Sequence, residues 1–326
     1  MIVDTFNRAH DYLRVSLTDN CNLRCFYCMP EEDYAFTPAA SLMQPGEILA
    51  LARIFTDMGV RKIRLTGGEP LVRKDVGEII EALSTLPVHL SMTTNGTRLH
   101  LYTEVLARAG VRALNISLDT LRPERFLAIT RRDQFNVVRA NIDELLSRNI
   151  TVKINVVVMK GLNDDELNDF IAWTLDTPVH IRFIEFMPFS GNRWTPEQVV
   201  PLKAMLESIR AAYPVERLQD EPHDTSKRYK VPGHTGTFAF ITTMSAPFCG
   251  TCNRLRLTAD GKMKNCLFSQ EETDLLSAYR AGADVGALIR ASVLAKAERL
   301  GGQMPVHFEQ LEATGLHNRS MITIGG

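Results

Sequence analysis

Between residues 12 and 187 the sequence alternates six short strand-like runs with helical ones. Few folds accept such a pattern, because repeated βα units build a parallel sheet with its helices outside. The strand runs are 12–17, 62–66, 88–94, 113–119, 151–159 and 180–187, and helical candidates between them include 45–58, 75–86, 101–109, 135–148 and 164–175. Six consecutive units predict an α/β fold, an incomplete (βα)6 TIM-type barrel. Past Met187 the alternation stops. A helix near 201–212 and a polar stretch over 218–227 lead to a strand at 237–243, a hairpin around Asp260-Gly261, and helices near 275–281 and 285–300. Two parts are therefore expected: a partial barrel over residues 1–225 and a smaller C-terminal α+β domain over 226–326.

Parallel strands covered on both faces read as continuous apolar runs, yet here one face is repeatedly polar. Arg14 and Ser16 stand opposite Leu13, Val15 and Leu17; Arg64 and Thr66 stand opposite Ile63 and Leu65. His89, Ser91, Thr93 and Asn95 follow on the third strand, Asn115, Ser117 and Asp119 on the fourth, Lys153 and Asn155 on the fifth. With helices outside, these side chains line the lumen and make it a wetted chamber. Arg14, Arg64 and Lys153 are cationic, and burying each without a partner costs several kcal/mol. Either an anionic ligand or barrel carboxylates such as Glu69 and Glu185 must answer them.

Six cysteines fall into two sets, Cys21/Cys25/Cys28 and Cys249/Cys252/Cys266, with none left over. The N-terminus lacks the charged start and apolar core of an export signal, so we expect a cytoplasmic chain whose cysteines ligate metal. No stretch approaches the roughly 18–20 apolar residues of a spanning helix, and no membrane partner is expected. A net charge of -1, from 37 Lys+Arg and 38 Asp+Glu, supplies no global field for nucleic acid, so any anion site is local.

The first set is a CxxxCxxC loop directly after the first strand. Three thiolates there can hold three irons of a [4Fe-4S] cluster and leave the fourth iron open, whereas a closed zinc site needs a fourth ligand that the segment lacks. With Tyr27 before the last cysteine and Gly67-Gly68-Glu69-Pro70 after the second strand, this region resembles the radical S-adenosylmethionine (SAM) superfamily. The resemblance implies that the open iron chelates the methionine part of SAM. It also implies SAM contacts at Tyr27, at Gly67, Gly68 and Glu69 through their backbone, at Ser117 for the carboxylate or ribose, and at Met187 for the adenine.

Cys249 and Cys252 form a CxxC, and Cys266 follows across the hairpin. Spacing alone admits an iron–sulfur cluster or a zinc ion completed by His234 or His307. Arg254 and Arg256 share one face of the intervening strand and add donors for a charged or heteroaromatic ligand. At this point the likeness narrows. LRVSLTDNCNLRCFYC, KIRLTGGEPLVR, MTTNG, ALNISLD, VKINVVVM, RFIEFM, FCGTCNRLRL with NCLF, and the closing Ile324-Gly325-Gly326 resemble the GTP 3′,8-cyclases along the whole chain.

That resemblance implies two [4Fe-4S] clusters, SAM as cofactor, and radical cyclisation of GTP to (8S)-3′,8-cyclo-7,8-dihydroguanosine 5′-triphosphate, the first step of molybdenum cofactor biosynthesis. It places GTP contacts at Arg14, Arg64, Thr93, Lys153, Arg254, Leu255 and Arg256. Catalytic parts fall to Arg254, Arg256, Gly325 and Gly326, although terminal glycines are ordinarily a frayed end. A homodimer, a flavodoxin-type electron donor and a downstream cyclic pyranopterin monophosphate synthase belong to the same expectation. Two competing readings are a peptide-modifying radical SAM maturase, which usually carries more downstream cysteines, and a non-enzymatic iron–sulfur carrier, which leaves the cationic lumen unexplained.

Overall fold

The computed structural model describes residues 1–30, 34–221, 223–305, 307–312 and 315–325. Six strands, β1 (Tyr12–Ser16), β2 (Lys62–Thr66), β3 (His89–Thr94), β4 (Ala113–Ser117), β5 (Thr151–Val158) and β6 (His180–Glu185), pair in parallel in chain order. The crossovers carry α1 (Pro45–Asp57), α2 (Val76–Ser84), α3 (Thr103–Arg108), α4 (Pro123–Thr130), α5 (Phe135–Ser147) and α6 (Leu167–Trp173). The partial barrel read from the periodicity is the observed architecture.

α1 shows why these crossovers form. Gln44 and Glu47 exchange capping bonds at its start, Pro45 presets the first turn, and Ile48, Leu51, Ala52 and Phe55 recur at helical spacing on the buried face. Each such fully buried large side chain contributes about 1.5–3 kcal/mol. α4 has no counterpart in the sequence expectation. Pro123 opens it, and Phe126 and Ile129 are buried.

Alternation along the strands is preserved in burial. Leu13, Val15, Ile63, Leu65, Ile154 and Phe183 are fully buried in the core shared with the helices, while Arg14, Arg64 and Lys153 turn to the lumen.

The remaining elements are α7 (Leu202–Ala212), β7 (Glu216–Arg217), β8 (Lys227–Lys230), β9 (Thr237–Ile241), β10 (Arg254–Leu257), β11 (Lys262–Lys264), β12 (Thr273–Asp274), α8 (Leu275–Arg280), α9 (Val285–Leu294) and α10 (Met321–Ile324). The helix expected over 285–300 stops at Leu294, where the chain turns and carries Lys296 back to the carbonyl of Arg254. The C-terminal strands extend the barrel sheet on both flanks: β10 lies parallel to β1 and β9 parallel to β6, within one sheet that has twelve strands among the described residues. Tyr12 is thereby in register with Arg254, and Arg14 with Arg256. Among the described residues no helix is long and apolar enough to cross a membrane.

Candidate active site

The loop after β1 is held from three sides. The carbonyls of Ile129 and Thr130, at the end of α4, accept the amides of Phe26 and Arg24. The amides of Gly68 and Glu69 donate to the carbonyls of Thr18 and Asn20 at 2.7 and 2.8 Å. That approach is what excludes side chains: a Cβ on Gly67 would lie 2.4 Å from the Thr18 carbonyl oxygen, and one on Gly68 2.5 Å from that of Asp19. Finally, the Tyr27 hydroxyl donates to Asp119 at 2.6 Å, and the other oxygen of Asp119 accepts the Val157 amide. Burial pushes Asp119 up to about 6 in spite of these bonds.

Cys21, Cys25 and Cys28 open together onto a cavity of ≈190 Å³ that Tyr27, Gly67, Gly68, Ser117 and Met187 also line. Thr93 belongs to this cavity and not to the cationic part of the lumen beyond it. Burial and the neighbouring Glu69 raise Cys21 to about 11, and burial with mutual repulsion raises Cys25 and Cys28 further. Three clustered thiols that resist ionisation are stabilised as thiolates only by a positively charged group bound among them.

The second set closes in the same way. A short turn joins Cys249 to Cys252, and the β10–β11 hairpin returns Cys266 to a cavity of ≈150 Å³ that all three share. Burial raises Cys252, but Arg254 and Lys296 outweigh it and bring the thiol down to about 6. Neither His234 nor His307 lines this cavity; His234 Nδ1 is 2.8 Å from the Thr174 hydroxyl, and its ring packs edge-on to Tyr213. Among the described residues no three His, Cys, Asp or Glu side chains converge on a single ion position. Each set brings three thiols, and among the described residues no histidine, to the wall of one cavity, a donor set that fits an iron–sulfur cluster.

Met187, Ile184, Asn155 and Met321 line both cavities, which therefore adjoin. The second continues through Arg14, Arg64, Arg182 and Arg254 into a third of ≈520 Å³, where Lys62 and Lys153 stand. Arg256, Arg14 and Arg64 occupy matching register positions on three adjacent strands and form one layer, whereas Lys153 is in register with Asn115 and Thr93. Burial, then Arg182 and Arg64, push Lys153 down to about 8; burial and Arg64 lower Arg182 to about 9, and burial and Arg254 lower Arg256 to about 10.

Glu69 and Glu185 do not answer these charges. Glu69 accepts from the Leu71 and Asn95 amides and the Thr94 hydroxyl, and Glu185 from the Leu202, Met244 and Ser245 amides.

Lys62 and Arg182 were not singled out from the sequence. Extending the alternation to β6 would have found Arg182, which is in register with Asn155. Strand alternation sends the Leu255 side chain into the hydrophobic core, between Arg254 and Arg256 but on the opposite face. Only its main chain can reach a ligand.

The C-terminal tail enters between the two cysteine sets. Met321 and Ile322 line the first cavity, Ile324 is buried, and the Gly325 carbonyl accepts from Arg256 Nη1. Gly325 has φ 83, and a Cβ there would lie 2.5 Å from Thr66 Oγ1. Gly326 lies outside the described residues.

A sequence model described as the Radical SAM superfamily matches residues 15–174, and one described as Molybdenum Cofactor Synthesis C matches 179–301. The sequence is 48% identical over 328 residues to molybdenum cofactor biosynthesis protein 1 of Mus musculus, covering 99% of this chain and 51% of that protein. The chain thus spans about half that relative's length. It is 46% identical to the mitochondrial GTP 3′,8-cyclase of Arabidopsis thaliana, covering 100% of this chain and 84% of the relative. Against the GTP 3′,8-cyclase of Petrotoga mobilis identity is 43%, with 84% and 86% covered. Among solved structures, Streptococcus suis SuiB bound to S-adenosylmethionine shares the fold, with a TM-score of 0.62 at 15% identity, covering 94% of this chain and 72% of SuiB.

Proposed function

We propose, proceeding from the fact that this chain belongs to the GTP 3′,8-cyclase family, that it closes GTP to (8S)-3′,8-cyclo-7,8-dihydroguanosine 5′-triphosphate in molybdenum cofactor biosynthesis. The observation that carries this reading is the group of cations lining cavities that adjoin those of both cysteine sets. A triphosphate supplies the negative charge such a group needs, and Arg side chains grip it bidentately.

In this reading Cys21, Cys25 and Cys28 hold one [4Fe-4S] cluster with SAM beside it, and Cys249, Cys252 and Cys266 hold a second. When bound, these groups supply the one-electron chemistry that removes a hydrogen atom from an unactivated C–H bond.

The chain's own residues do the positioning. An amino group donates hydrogen bonds, so carbonyl oxygens of the Gly67-Gly68 turn, which lines the same cavity, accept the SAM amino group. Ser117, Tyr27 and Met187 flank the same cavity. Arg14, Arg64 and Lys153, joined by Lys62 and Arg182, take the triphosphate in the third cavity. Arg254 and Arg256 direct the guanine toward the second cysteine set, with the main chain of Leu255 between them. Thr93, in the first cavity, meets the ribose side of the substrate.

Closing a bond from ribose C3′ to base C8 needs a fixed nucleotide conformation, and gripping both ends supplies it. The hydrogen atom of C3′ would pass to the 5′-deoxyadenosyl group that bound SAM supplies, giving 5′-deoxyadenosine; the C3′–C8 bond forms, and one electron, ultimately from the external donor, and one proton complete the dihydropurine. Arg256 and the Gly325 it is hydrogen-bonded to can shape that conformation, and Gly326 is expected to act with them.

A division at residue 225 separates the SAM-binding strands from the part carrying the second cysteine set. Six free cysteines fit a reducing compartment, the cytoplasm in this reading. A homodimer, a flavodoxin-type donor and a following cyclic pyranopterin monophosphate synthase complete it.

The test is anaerobic reconstitution with iron and sulfide, then incubation with dithionite, SAM and GTP. GTP-dependent 5′-deoxyadenosine and a cyclised nucleotide are expected. Absence of both from protein with full iron content overturns the reading.

A further inference from the structure

Lys296 lies behind the second cysteine set, on the segment that leaves α9, and cyclisation as described asks nothing of it. Its side chain is 3% exposed, and it lines none of the three lumen cavities. Nζ donates to the Arg254 carbonyl at 2.9 Å and stands 3.8 Å from Cys252 Sγ. A buried ammonium without an anion costs several kcal/mol. Among the described residues no carboxylate forms an ion pair with Lys296, which leaves the Cys252 sulfur as the anionic partner at hand.

The surroundings fix this placement. Arg8, from the N-terminal segment, donates to the carbonyls of Ala297 and Glu298 at 3.0 and 2.7 Å and to that of Cys249 at 3.0 Å. The segment carrying Lys296 is therefore tied to the cysteine turn itself. Arg254 Nη2 also approaches Cys252 Sγ, at 3.5 Å, and the Leu300 amide donates to Cys249 Sγ at 3.5 Å.

Among the described residues no cationic side chain hydrogen-bonds a sulfur of the first cysteine set. Its side-chain donor to sulfur is the neutral Asn95, 3.7 Å from Cys21 Sγ. Charge and hydrogen bonds at the sulfurs set the potential of an iron–sulfur group, and a cation beside it favours the more negative, reduced form.

We infer that Lys296 is a positioning residue for the iron–sulfur group of the second set: pinned by the Arg254 carbonyl, its ammonium holds the Cys252 sulfur and raises that group's reduction potential. The inference rests on the reading that Cys249, Cys252 and Cys266 hold a cluster.

The experiment compares reconstituted full-length wild type, K296Q, which keeps a donor without charge, and K296R, which keeps the charge. Readouts are iron and sulfide content and a redox titration of each cluster followed by electron paramagnetic resonance. K296Q is expected to move the second cluster to lower potential and leave the first unchanged, with K296R close to wild type. Loss of the second cluster from K296Q alone supports the same role. Equal potentials in K296Q and wild type, equal shifts in both variants, or loss of the second cluster from both, overturn it. Wild-type protein that assembles only the first cluster overturns the underlying two-cluster reading instead.

Discussion

Buried charges in this protein serve two ends, and residue by residue they can be told apart by their partners. In the N-terminal segment Asp4 is structural: it takes Arg8 Nε at 2.6 Å and lies 3.0 Å from His10 Nε2. Burial alone would raise Asp4, but bonds from Arg8 and His10 bring it down to about 2, while burial and then Lys296 lower His10 to about 4.

Because the folded pKa of His10 lies below its unfolded value of 6.5, the unfolded chain takes up the proton first. Its contribution is complete above that value and is lost as pH falls toward 4, a change of about 3 kcal/mol. H10Q removes this loss. Urea unfolding of the apoprotein at pH 7 and pH 4.5 is expected to show the wild type losing its advantage over H10Q at the lower pH; an advantage unchanged by pH would refute the assignment.

Arg14, Arg64 and Lys153, by contrast, line a cavity, and strand alternation alone exposed them. The same rule turns the Leu255 side chain to the core, between two arginines that face the lumen.

Among the elements, short ones hold the site. α4 was illegible in the sequence, yet its last carbonyls carry the first cysteine loop. The tail is similar: nothing local marks α10 and Gly325 as more than a frayed end, and only packing against Ser16, Thr66 and Arg256 gives them a place. Deleting Gly325 and Gly326 is expected to leave iron content intact and to lower product formation, on the order of 10²-fold if the substrate is misplaced. Iron analysis alongside turnover checks this, and unchanged turnover would return the glycines to an inert end. The β10–β11 hairpin, in contrast, was announced by Asp260-Gly261, because a tight turn is a local property.

For the whole molecule, the sheet order makes two cysteine sets into one site. β10 inserts beside β1, so the second set opens onto a lumen whose strands belong to the first. The two sets nevertheless have separate supports, α4 and the Gly67-Gly68 turn for one, Arg8, Lys296 and the hairpin for the other. C252A is therefore expected to lose the second cluster and cyclisation while retaining SAM binding and uncoupled cleavage to 5′-deoxyadenosine. Loss of SAM binding in that variant would show that the sets are not independent.

The barrel, its polar inner face and the two thiol sets were legible in the linear chain because periodicity, turn chemistry and ligand spacing act over a few residues. That β9 and β10 extend opposite flanks of one sheet, that Arg256 meets the tail, and that Lys296 meets Cys252 were not. Those contacts join segments far apart in the chain, and such pairings are chosen by the fit of whole packed surfaces, which no local pattern encodes.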